Sequence, residues 1–215
     1  MFQAILFDLD GTLIDSAASI LAAVAYALAH EGLSPVVPLD PSRIGPPLRD
    51  MLQCLSGATD PELLDMLTAA FKSHYDEAGC LEARAFPGVE TMLATLAGAG
   101  QPMHIATNKR ARPTRRILTH LGWTARFDRV YCLEDFSPPL PNKTRLIANL
   151  LADAGLDAAQ CVYIGDRKED ELAARANRLT FYWACWGFDS APTPKAAGAG
   201  ILLHHPDPHI LLGAS

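Results

Sequence analysis

Phe2-Gln3-Ala4-Ile5-Leu6-Phe7-Asp8-Leu9-Asp10-Gly11-Thr12 opens the chain with a near-continuous apolar run that ends in acids. An alternating strand with one wet face does not read this way; a strand covered on both faces does, and such strands belong to parallel sheets. Further stretches of the same kind follow at 103–107, 129–133, 162–165 and 180–184, with helical periodicity between them at 88–99, 113–121, 143–154 and 169–176. Gly100, Gly122 and Gly155 stand where three of those helices should stop. Strands alternating with helices predict an α/β fold, a doubly wound parallel sheet with helices on both faces.

One block breaks the alternation. From about residue 16 to about residue 85 only helical periodicity is found. Asp60-Pro61 is a helix start, followed by the apolar stripe Leu63, Leu64, Leu67, Ala70, Phe71 and Tyr75, which ends before Gly79. The expected organisation is therefore a core of residues 1–15 and 86–215 with an inserted all-helical cap at 16–85, over the end of the first strand. The run at 20–29 reads as core packing of a helix, and it is half of what a membrane-spanning helix needs.

The 215 residues are 49% apolar and carry a net charge of −6 without a basic stripe, so a nucleic acid polymer is not an expected partner. No membrane association and no signal peptide are read, because Asp8 and Asp10 interrupt the first apolar stretch. Five cysteines in no CxxC pairing (Cys54, Cys80, Cys132, Cys161, Cys185) read as reduced core residues of a cytoplasmic protein. Nothing in the sequence specifies an oligomeric state.

In open α/β sheets ligands sit at the carboxyl ends of the strands. There the first strand carries Asp8 and Asp10, followed by Gly11 and Thr12. The second carries Thr107, Asn108 and Lys109; the strand at 162–165 carries Asp166, with Asp170 at the opening of the next helix and Lys143 at the start of the helix before. Acids gathered in one crevice repel each other unless a hard cation neutralises them, and oxygen ligands suit Mg²⁺. Magnesium also lets a carboxylate approach an anionic phosphate, with Thr107 and Lys143 supplying hydrogen bonds and charge at the transferring oxygens. Gly11, Thr12, Asn108 and Lys109, beside these groups, are candidate substrate-binding residues. His204, His205 and His209 lie in a proline-rich tail without matching cysteines and are not read as a metal site. Trp183 and Trp186 lie near the crevice in the sequence.

The run Phe7-Asp8-Leu9-Asp10-Gly11-Thr12-Leu13-Ile14-Asp15-Ser16 resembles the first signature of the haloacid dehalogenase superfamily. Residues Ile105-Ala106-Thr107-Asn108-Lys109 resemble its second, Lys143 its third, and Gly165-Asp166-Arg167-Lys168-Glu169-Asp170 its fourth, in the family's order. Two departures stand out: Lys143 follows Pro138-Pro139-Leu140-Pro141-Asn142 instead of preceding a proline, and Ala176-Asn177 replaces the usual Ala-Gly. The resemblance implies that Asp8 is a nucleophile forming an aspartyl-phosphate, and that Asp10 is the general acid and then the base. It further implies that Asp8, the Asp10 carbonyl and Asp166 hold Mg²⁺, with Asp170 supporting the metal or orienting Lys143. Members that cleave carbon–halogen bonds lack an acid at position 10, so dehalogenation is disfavoured.

The block at 16–85 resembles the family's small helical cap. Within it Arg43-Ile44-Gly45-Pro46-Pro47-Leu48 resembles a loop of phosphoglycolate phosphatase-like and 5′-nucleotidase-like members, which makes Arg43 and Arg49 candidate contacts for an anionic leaving group. The expected activity is a phosphatase acting on a small phosphorylated metabolite, phosphoglycolate first and a nucleotide second. A phosphomutase of the β-phosphoglucomutase kind would use the same acids, and a silent phosphate- or protein-binding module is the reading from another class.

Overall fold

A computed structural model describes residues 1–189 and 200–213. The chain begins β1 (Ala4–Phe7), β2 (Ile14–Asp15), α1 (Ala17–His30), α2 (Leu48–Ser56), α3 (Pro61–Tyr75) and β3 (Arg84–Ala85). It continues α4 (Val89–Gly98), β4 (Met103–Thr107), α5 (Ala111–His120), β5 (Arg129–Cys132) and α6 (Lys143–Ala154). It closes with β6 (Cys161–Gly165), α7 (Lys168–Ala176), β7 (Thr180–Ala184), β8 (Ile201–Leu203) and α8 (Pro208–Leu212).

The main sheet has six strands in the order β5-β4-β1-β6-β7-β8, and every pairing in it is parallel. Strand β1 lies inside the sheet, and all four of its residues are buried. Its side chains alternate between two cores. Ile5 and Phe7 join one with residues of α4, α5 and α8, while Ala4 and Leu6 join the other with Leu146, Ile147 and Leu150 of α6 and Ala173 and Ala174 of α7. The chain winds outward from β1 through β4 to β5, then returns to the other side of β1 for β6. That reversal opens a crevice between neighbouring strand ends, which is where such sheets bind ligands.

Between β2 and β3 the chain is helical. Asp60 caps α3 by accepting from the Glu62 amide at 3.1 Å, and the stripe Leu64, Leu67, Ala70, Phe71 and Tyr75 is buried, partly against α1. The insertion begins and ends on a short antiparallel ribbon, Ile14 opposite Ala85 and Asp15 opposite Arg84. Gly100, Gly122 and Gly155 stand just past α4, α5 and α6, all with positive φ.

Three features differ from the sequence reading. The proline-rich tail is structured: Ile201–Leu203 adds the sixth strand, and Asp207 caps α8 through the His209 amide. Residues 84–85, read as the end of a helical block, form a strand instead. Cys54 is exposed, whereas Cys80, Cys132 and Cys161 are core residues as expected; all five thiols are free. Among the described residues no helix is long and apolar enough to cross a membrane.

Candidate active site

The parallel ladder brings the acids together. The Asp8 amide donates to the Ile164 carbonyl at 2.9 Å, so the residue after β1 stands beside the end of β6, where Asp166 follows. Asp8, Asp166 and Asp170 are all buried, and one carboxylate oxygen from each lies within 4.8 Å of the others. Asp166 accepts from the Thr12 hydroxyl at 3.2 Å and from the Phe188 amide at 2.9 Å. Gly11 has φ +82, and a Cβ there would run into the Asp166 carboxylate, so the close approach of the first loop to this acid requires glycine.

Lys143, which could have been an exposed lysine in a first helical turn, is 2% exposed. Its Nζ lies 3.1 Å from Asp8 Oδ2 and 2.5 Å from Asp170 Oδ1. Asp170 is further held by the Arg167 amide at 3.1 Å and faces the Tyr163 hydroxyl at 3.4 Å. Burial works against the Lys143 charge, but Asp170 and Asp8 outweigh it and raise its pKa. One cation does not neutralise three carboxylates. Burial, with Asp170 and Asp10 adding to it against the pull of Lys143, pushes Asp8 up to about 6. Burial together with Asp170 and Asp8 pushes Asp166 up to about 8. Asp8 Oδ1 is buried with no hydrogen-bond partner among the described residues. Buried carboxyl groups short of countercharge, an orphaned carboxylate oxygen and an all-oxygen donor set fit a hard divalent cation such as Mg²⁺.

Asp10 turns toward the helical insertion. It accepts from Lys109 Nζ at 2.9 and 3.0 Å and from the Ser16 hydroxyl at 2.5 Å, while Lys109 also donates to the Tyr75 hydroxyl at 2.7 Å. The Lys109 pKa is raised: burial opposes its charge, and Asp10 and Tyr75 overcome that. Thr107 is buried at the end of β4 and accepts from the Lys109 amide at 3.2 Å. Asn108 Nδ2 donates at 3.0 Å to both the Gly45 carbonyl and Glu169. One cleft takes its polar lining from Asp10, Asn108, Lys109 and Arg110 and its apolar lining from residues that include Ile44, Pro46, Leu48, Met51 and Phe71.

Arg43 and Arg49 are not brought to this cleft. Both are exposed, and Arg49 is engaged within the insertion by Asp65 and by the Pro61 carbonyl at 3.1 Å. Four contributors were not singled out from the sequence. Ser16 and Tyr75 hold the Asp10–Lys109 pair, Arg167 reaches the insertion, and Phe188 supplies the amide on Asp166. Trp186 does reach the first loop, donating to the Thr12 carbonyl at 2.9 Å. Ser16 and Arg167 had local signals, Ser16 lying six residues from Asp10 at the mouth of a helix and Arg167 directly after Asp166.

A model of the haloacid dehalogenase-like hydrolase family matches residues 5–184, which span β1 through β7 and every acid of the crevice. The chain belongs to that family. It is 35% identical over 208 residues to a phosphoglycolate phosphatase of Xanthomonas campestris pv. campestris, covering 95% of this chain and 93% of that protein. It is 33% identical over 196 residues to a 5′-nucleotidase of Pseudomonas aeruginosa, covering 91% and 88%. A crystal structure of a predicted phosphatase from Clostridium acetobutylicum superposes with a TM-score of 0.88 at 27% identity, over 99% of each chain. As a member with phosphatase relatives along nearly its full length, the chain is a phosphoric monoester hydrolase.

Proposed function

We propose that this chain is a magnesium-dependent phosphatase that cleaves a small phosphate monoester through an aspartyl-phosphate on Asp8. The observation that carries the reading is the buried triad Asp8, Asp166 and Asp170, with the buried Lys143 paired to Asp8 and Asp170. Asp8, Asp166 and the backbone carbonyl of Asp10 would hold the metal, with Asp170 behind them; bound there, Mg²⁺ screens the charge between phosphate and carboxylate and offsets charge that develops on the phosphoryl oxygens.

In the first step an Asp8 carboxylate oxygen bonds to phosphorus as the bond to the ester oxygen breaks. Asp10, two residues along and facing the cleft, gives its proton to the departing oxygen, which leaves as an alcohol. In the second step Asp10 takes a proton from a water that bonds to phosphorus, the bond to Asp8 breaks, and inorganic phosphate is released. Lys143 keeps the Asp8 carboxylate oriented and, with Thr107, offers donors to the transferring oxygens. Lys109 and Ser16 fix the direction of Asp10. Helices α1–α3 act as the cap that shelters these steps from bulk water.

The relatives favour phosphoglycolate as the first substrate to try and a 5′-nucleotide as the second. Phosphate release with Mg²⁺ across phosphoglycolate, nucleoside monophosphates, sugar phosphates and pyrophosphate, for wild type and Asp8→Asn, tests the reading. Turnover confined to wild type is expected. Equal turnover by Asp8→Asn, or none on any ester with folded, Mg²⁺-loaded protein, would overturn it.

A further inference from the structure

Asn108 and Arg167 each stand one residue beyond a site residue, Thr107 and Asp166, yet both reach past Asp8, Asp166 and Asp170 to one loop of the insertion, Asn108 while also donating to Glu169. Arg167 donates through Nη2 to the Ser42 carbonyl at 2.9 Å and through Nη1 to the Ile44 carbonyl. Asn108 donates to the next carbonyl, that of Gly45, at 3.0 Å. All three acceptors are main-chain oxygens within four residues, so the contact fixes the path of the backbone without using the loop's side chains. Gly45 has φ +137, and a Cβ there would collide with the Arg167 side chain, so this close seat requires glycine.

Three of those side chains line the cleft. Ile44, Pro46 and Leu48 line it together with Asp10. The two cations on that lining are already engaged: Lys109 with Asp10 and Tyr75, and Arg110 with Asp76 at 2.9 Å. What the loop offers a leaving group is apolar contact.

We propose that Arg167, with Asn108 as its second arm, is a positioning residue that holds loop 42–48 as an apolar roof over Asp10 and so sets the preference for the leaving group. The inference rests on the phosphatase reading above. Asp166 and Thr107 are thereby joined through one-residue steps to the loop that meets the rest of the substrate, so the roof is in register with the reacting centre.

Arg167→Met removes the guanidinium donors and keeps much of the apolar stem. With Mg²⁺, its kcat/KM on phenyl phosphate should fall about tenfold relative to wild type, chiefly through KM, as the ring loses its apolar contact. On methyl phosphate, which has almost nothing for the roof to touch, the fall should stay within about threefold. Gly45→Ala, which leaves Arg167 in place and denies it the seat, should reproduce the selective loss; it also serves if Arg167→Met folds poorly. Losses of equal size on both esters, or no loss, would overturn the proposal.

Hydrogen exchange on the full chain reads the clasp without catalysis. Amides of Ser42, Arg43, Ile44, Gly45 and Leu48 should exchange faster in both variants while those of β1 and β6 keep their protection. Unchanged exchange in the loop would refute the clasp even if wild type hydrolysed neither ester, whereas faster loop exchange with no wild-type hydrolysis would count against the phosphatase reading alone.

Discussion

Replacing Lys143 by methionine should expose the electrostatic debt of the site. The ammonium is 2% exposed and lies between Asp8, 5% exposed, and Asp170, fully buried, at 3.1 and 2.5 Å. Removing one partner of a buried ion pair costs about 3–5 kcal/mol, because the remaining charge stays buried without compensation. For a chain of this size each kcal/mol corresponds to about 2–4 °C in Tm. In chelator, Lys143→Met should therefore melt about 6–20 °C below wild type. Adding Asp170→Asn removes one of the stranded charges, so the double variant should regain part of the loss instead of losing more. Both variants should lose phosphate release, since the transferring oxygens have lost their cation. Calorimetry with and without chelator gives the stability terms. A Lys143→Met protein that melts within a degree or two of wild type in chelator, or a double variant whose losses simply add, would refute the reasoning.

Metal removal and pH supply further tests. A divalent cation that binds only the folded state stabilises by about 2.7 kcal/mol at a hundredfold excess over its Kd; chelator should therefore lower Tm and abolish turnover, and Mg²⁺ should restore both, with Asp166→Asn blunting the response. His104 in β4 is buried, and burial lowers its pKa below the ordinary 6.5 against the pull of Asp128 and with the push of Arg129. The folded protein thus binds this proton less readily than the unfolded chain, so the stability His104 contributes is present above pH 6.5 and is lost as pH falls toward the depressed value. Denaturant titrations should show wild type losing more stability than His104→Leu between those limits; equal slopes would contradict it.

How much of this was legible in the sequence follows from the range of each interaction. Asp8 and Asp166 announce themselves because each follows a short run of buried strand residues, and the parallel pairing that joins them is the one the alternation of elements predicts. Their neighbours Asp170 and Lys143 lie at helix openings beside those strands and converge as expected. Tyr75 was hidden because its ring belongs to the apolar stripe of α3, and only its hydroxyl, 34 residues away in sequence from Lys109, takes part in the site. Arg167 was part of a quoted signature, but its partners at Ser42 and Ile44 depend on how the insertion folds back over the core. Arg43 and Arg49 illustrate the converse: the likeness of their loop to a substrate-facing one suggested anion binding, whereas both are exposed and Arg49 is engaged by Asp65. Strand β8 has three residues at a sheet edge, too few for a period of two to register.

The most direct test of the central proposal is chemical trapping of the intermediate. Wild-type protein turning over a competent monoester with Mg²⁺ is quenched in acid, reduced with borohydride, digested and sequenced by mass spectrometry. Borohydride converts an aspartyl-phosphate to homoserine, so the account predicts homoserine at position 8 alone, dependent on substrate and absent when turnover is blocked by chelator. Steady turnover that leaves Asp8 unmodified, or a modification that maps to Asp10 or Asp166, would contradict it.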